Sequence, residues 1–83
     1  MLHMVEVKYA QEHRDAALAY FQEHGITHYT GDLVVQGLWI STAKRIAYVL
    51  VEASDSAEVA TACRSLEQFG EVEHHAVIAS DQL

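Results

Sequence analysis

The sequence predicts an α+β fold in which one four-stranded antiparallel sheet carries both of its helices on a single face. Three observations lead there. Residues 46–52 (I-A-Y-V-L-V-E) form a run rich in β-branched and aromatic side chains, followed by a polar A-S-D exit suited to opening a helix. Two segments of helical periodicity each stop at a glycine, Gly25 and Gly70, before an extended segment begins. The chain has 83 residues, enough for a single domain with one core.

Taken in order, residues 2–9 read as a strand with His3, Val5, Val7 and Tyr9 on one side and Leu2, Met4, Glu6 and Lys8 on the other. A helix follows from Glu12 or His13 to His24, with Ala17, Tyr20, Phe21 and His24 on one stripe and Gly25 as its left-handed stop. The passage from Ile26 to Gly31 leads into a strand over residues 33–41, where Gly37 marks a bulge. Residues 41–44 make a hairpin into the strand at 46–52, whose nearly continuous apolar character calls for cover on both faces. Asp55, with Glu58 three residues on, has the spacing of a capping box. Val59, Ala62, Cys63, Leu66 and Phe69 share the face of that second helix, and a last strand spans residues 71–80. Strand, helix, strand, twice over, is the split βαβ, ferredoxin-like order βαββαβ.

Composition narrows the partners. Five basic against twelve acidic residues give a formal charge of −7, which repels phosphate backbones and anionic headgroups, so neither nucleic acid nor a membrane surface is expected to bind. The first residues lack the basic start and apolar core of a secretory signal, and no apolar run reaches the roughly 18 residues of a membrane span. A cytoplasmic location is expected, consistent with a single cysteine, Cys63, that permits no internal disulfide. A hydrophobic fraction of 51% in so short a chain leaves apolar surface over for a partner subunit.

In this fold the helices cover one face of the sheet and leave the other bare. Val5, Val7, Leu38, Ile40, Ala47, Val49, Val51, Val72, Ala76 and Ile78 are assigned to the helix side. Met4, Glu6, Lys8, Trp39, Ile46, Tyr48, Leu50, Glu52, His75 and Val77 are assigned to the open side. The start M-L-H-M-V-E-V, the segment Y-V-L-V-E-A-S-D, the helix end L-E-Q-F-G and the close E-V-E-H-H-A-V-I-A-S-D together resemble small single-domain members of the dimeric α/β-barrel superfamily. They are similar in particular to uncharacterised bacterial domains that begin M-L-F-M-V and carry a V-E-x-x-D strand exit. The resemblance implies a homodimer whose two sheets meet face to face around a cavity. Relatives include heme-degrading and quinone-forming monooxygenases, chlorite dismutases, muconolactone isomerases and effector-binding domains. No heme-ligand motif or cofactor-free monooxygenase triad carries over to this chain, so no cofactor is assigned, and function must be argued from the site.

Six histidines invite a metal, but the pattern argues against one within a single chain and leaves open only a composite site across a dimer. His74 and His75 are strand neighbours that point to opposite faces, and Gly25 interrupts the His24/His28 helical spacing. His3 and His74 share a face but are expected near opposite ends of adjacent strands, roughly 10 Å or more apart. Cys63, on an apolar stripe, reads as a buried inert thiol. On the open face, Glu6 and Glu52 are read as lying on parallel neighbouring strands, with His75 on the same face. These three are the candidate catalytic groups, acid and base for moving a proton on a small organic acid or phenol. Trp39 and Tyr48 are the candidate ligand-binding walls. The structural reading of the same residues is an interface sealed by ion pairs between Glu6 and Lys8 or between Glu52 and His75, with the two aromatics as dimer contacts. Two function classes therefore stand: a homodimer that binds or converts a small molecule, and a non-catalytic assembly or regulatory module.

Overall fold

The structure, a computed structural model, describes residues 1–24 and 33–83. Strands β1 (Leu2–Tyr9), β2 (Val34–Ser41), β3 (Ile46–Glu52) and β4 (Gly70–Val77) form one sheet in the order β2-β3-β1-β4, with every pairing antiparallel. Helices α1 (Arg14–His24) and α2 (Ser56–Leu66) complete the βαββαβ order. The ferredoxin-like α+β architecture expected from the sequence is thus the one observed. The stop at Gly25, the passage through Ile26 to Gly31 and the His24/His28 spacing lie outside the described residues. Among the described residues no helix is long and apolar enough to cross a membrane.

Burial alternates along the two central strands. Val5, Val7 and Tyr9 of β1 and Ala47, Val49 and Val51 of β3 are buried, while the residues between them are not. This is the period-2 signature of a sheet covered on one face. Each fully buried valine contributes roughly 1.5–3 kcal/mol relative to exposure. Val59, Cys63 and Leu66 supply the matching stripe of α2. Phe69 reaches the core from a 3-10 turn, Glu67–Phe69, rather than from α2 itself. There its ring packs 5.2 Å from Tyr20 and 6.3 Å from Phe21 of α1. The Phe69 carbonyl accepts from the Ala10 N–H at 3.0 Å and lies 3.3 Å from His13 Nδ1, so one peptide group ties the start of the first helical segment to the end of the second.

Local chemistry sets the ends of the elements. Asp55 caps α2 by accepting from the Glu58 N–H at 3.0 Å. The expected capping box is only half formed, because the Glu58 carboxylate turns instead to the Ser54 hydroxyl at 2.7 Å. Gly70 has φ 156°, and a side chain there would meet the Lys8 carbonyl oxygen, so glycine is what lets β4 start against β1. The turn into β3 closes on Arg45, held at φ 57°, with the Ser41 hydroxyl accepting from the Lys44 N–H. In β2 the register shifts between Val35 and Gly37, which is the bulge marked by Gly37.

Two core assignments are corrected. Ala76 stands on the helix side opposite His3 but is exposed at the sheet edge. Ile78 was placed on the helix side but is 65% exposed, because β4 ends at Val77, where β1 runs out of residues to pair with it. The chain then leaves the sheet and ends in a 3-10 turn, Ser80–Gln82.

Two measurements check this core. Tyr9 is 1% exposed and its hydroxyl has no hydrogen-bond partner among the described residues. Tyr9→Phe is therefore expected to raise stability by about 1 kcal/mol, read from the urea midpoint; a loss of that size would show that the hydroxyl is satisfied. Burial raises the Cys63 thiol from its ordinary 9.0 to about 11, with the nearby Glu67 charge adding to the shift. The unfolded chain loses this proton first, so stability should fall as pH rises from about 9 toward about 11, by an amount on the order of 2 kcal/mol. Subtracting the alkaline stability curve of Cys63→Ala from that of the unsubstituted protein isolates this slope, and parallel curves would refute it.

Candidate functional site

The pairing register lays the open face out as a grid. Its middle row runs Trp39, Tyr48, Glu6, Glu73 across β2, β3, β1 and β4, each opposite the next. The flanking rows are Gly37, Leu50, Met4, His75 and Ser41, Ile46, Lys8, Glu71, and Leu2 stands between Glu52 and Val77 in the outermost. All ten residues assigned to this face from the sequence are on it.

The register also decides which of the candidate groups meet. His75 pairs with Met4, one diagonal step from Glu6, and its Nδ1 stands 3.8 Å from Glu6 Oε2. That is ion-pair range when the imidazole is protonated and too long for a hydrogen bond. Glu52 does not join them. β1 and β3 are antiparallel, as the fold class requires and against the parallel placement read for these two carboxylates, and Glu52 opposes Leu2, four residues from Glu6 or about 13 Å along the strand. Its carboxylate pairs instead with the Met1 amino group. The Glu6–Lys8 and Glu52–His75 ion pairs of the structural reading are not among those that the described residues form within one chain.

Sequence reasoning missed Glu73. It faces Glu6 directly across β1 and β4, and with Lys8, Ile46 and Glu71 the two line a hollow of about 170 Å³. The signal was present in the E-V-E-H-H segment, where Glu71, Glu73 and His75 alternate onto one side. Trp39 and Tyr48 are register partners, and Trp39, 56% exposed, folds its ring over Gly37, where a side chain would collide with the indole. The row therefore joins an aromatic half on β2 and β3 to an acidic half on β1 and β4, with one imidazole beside the acids. Chemically this arrangement can bind a flat organic molecule against the aromatics and exchange a proton with it through the imidazole or a carboxylate.

The helix-side histidines are placed differently from expectation. His3 opposes Ala76 and His74 opposes Val5, so the two are diagonal neighbours, with ring centroids 5.9 Å apart rather than at opposite strand ends.

Fold and site define a small α+β domain of βαββαβ order with one sheet face covered by helices and the other carrying the polar and aromatic groups. The chain belongs to the family described as Domain of unknown function (DUF3303), whose model matches residues 1–83. No curated protein matches it. Its fold is similar to the crystal structure of an uncharacterized NIPSNAP domain protein from Burkholderia xenovorans, with a TM-score of 0.58 over 95% of this chain and 94% of that one. At 15% sequence identity the likeness is one of fold.

Like charges directly opposite on a sheet cost stability. Glu73→Gln should therefore stabilise the protein by a few tenths of a kcal/mol up to about 1 kcal/mol at low ionic strength, and the gain should shrink in high salt. Thermal unfolding of both proteins at two salt concentrations checks this; a loss of stability on substitution would mean that the two carboxylates share a proton or a bound cation.

Proposed function

We propose that two copies of the chain meet open face to open face, as in the dimeric α/β-barrel superfamily, and that the space between them binds a small organic acid or phenol. The observation that carries the reading is the open face itself. Leu2, Met4, Ile46, Tyr48 and Leu50 occupy the middle strands of the sheet, and in the single chain neither helix covers them. Contiguous apolar surface of this kind marks an interaction site. A second copy is the occupant that the residues suit: Lys8, which stands beside Glu6, Glu71 and Glu73 in its own sheet, can reach the same carboxylates of another, so each acidic half gains a second cation. The fold likeness to the NIPSNAP domain protein supports the architecture.

Within the dimer, Trp39 and Tyr48 serve as the wall for the ligand's apolar body. Glu6 and His75 serve as the acid and base, their 3.8 Å separation leaving room for a ligand atom to bridge them. Glu52, paired at the end of the sheet, is assigned a structural part in this reading.

Sedimentation at micromolar concentration is expected to show a dimer, and a monomer alone overturns the proposal. Trp39→Ala should weaken the dimer by about 2 kcal/mol or more, roughly thirtyfold in dissociation constant. Glu6→Gln and His75→Ala should keep the dimer but abolish the thermal stabilisation that benzoate- and phenol-class compounds give the unsubstituted protein. If those substitutions weaken the dimer and no compound stabilises it, the face is an assembly surface without a ligand.

A further inference from the structure

The helix-side face of the sheet is lined by valine and alanine from β1 and β3, yet two imidazoles stand in it side by side. His3 is 3% exposed, and its ring centroid is 5.9 Å from that of His74 at an interplanar angle of 52°. Both Nδ1 atoms are buried and neither has a hydrogen-bond partner among the described residues, so the rings do not satisfy one another through these atoms. A buried polar nitrogen without a partner costs about 1–3 kcal/mol, and here two are adjacent. An apolar pair at these positions would remove that cost, so the juxtaposition calls for something that binds imidazole nitrogen.

We propose that His3 and His74 form a two-imidazole site for a zinc-class divalent ion on the helix side of the β1–β4 pair. The spacing fits. With metal–nitrogen bonds of about 2.0–2.1 Å, two imidazoles on one ion place their ring centres about 5.2 Å apart at a tetrahedral angle and about 6.4 Å apart in line. The observed separation falls between these limits. Neutral imidazole suits borderline ions such as zinc. Among the described residues no third His, Cys, Asp or Glu stands close enough to join, so the remaining positions fall to water or a small anion. Access is from the sheet edge, since His74 lies on β4, the outermost strand on that side, and is only partly buried. The site is on the opposite face from Glu6 and His75, so its test stands or falls apart from the reading of the open face.

The test uses tag-free protein and zinc or cobalt alone. One equivalent of zinc should bind and raise the melting temperature, and cobalt should give a visible absorption band. His3→Phe or His74→Val should each weaken binding at least about tenfold, the lower end of what losing even an outer partner of a metal ligand costs. His13→Gln should leave it unchanged. Zinc that fails to bind the unsubstituted protein, or that binds both variants equally well, overturns the proposal. Should a variant fail to fold, proton NMR of the cobalt-loaded unsubstituted protein decides: paramagnetically shifted ring N–H signals from two histidines support the site, and signals from one or none overturn it.

Discussion

The pairing of β1 with β3 is the constraint on which the rest of the molecule depends. It runs without interruption from Leu2 opposite Glu52 to Lys8 opposite Ile46, and it is the middle pair of the sheet. Because side chains alternate with a period of two, a slip of β1 by a single residue would turn Val5 and Val7 outward and bring Glu6 under the helices, against the still buried Val49 and Val51 of β3. The burial of those valines therefore fixes the register, and the register in turn composes the open face. The row of Trp39, Tyr48, Glu6 and Glu73 follows from core packing on the other side of the sheet.

The element order and the sidedness of β1 and β3 were legible in the sequence because those strands are long, β-branched and bounded by clear turn or cap chemistry. The bulge at Gly37 was legible for a related reason, since a lone glycine within a strand pattern has few other uses. What could not be read was the offset between strands distant in sequence. Running the last strand over residues 71–80 moves its middle toward the C-terminus and carries His74 away from His3. The actual start at Gly70 is dictated by the close approach of its backbone to Lys8, a contact with no one-dimensional signature. The same limit applies to Glu6 and Glu52. Both stand on the open face, as assigned, yet their separation along it depends on the register of β1 against β3, which sets Glu52 opposite Leu2 and Tyr48 opposite Glu6.

The two faces of the sheet illustrate how little local sequence is needed to give neighbouring residues unrelated surroundings. His74 and His75 are consecutive, but one contacts His3 in the layer beneath the helices and the other stands beside Glu6 on the open side. Each is a diagonal neighbour of its partner on β1, one displaced toward the start of β4 and the other toward its end. Four side chains from two adjacent strands thus make two separate polar pairs back to back.

The position of β4 at the edge of the sheet gives its acidic residues a second consequence. An outermost strand offers unpaired backbone groups to any other extended chain, and charge along it is a common protection against such stacking. Glu71 and Glu73 supply that charge here, at the cost of the repulsion between Glu73 and Glu6 across the sheet. Folding stability and resistance to aggregation are therefore set against each other at this strand. A change that quiets the carboxylates within the molecule also makes its border more adhesive to other molecules.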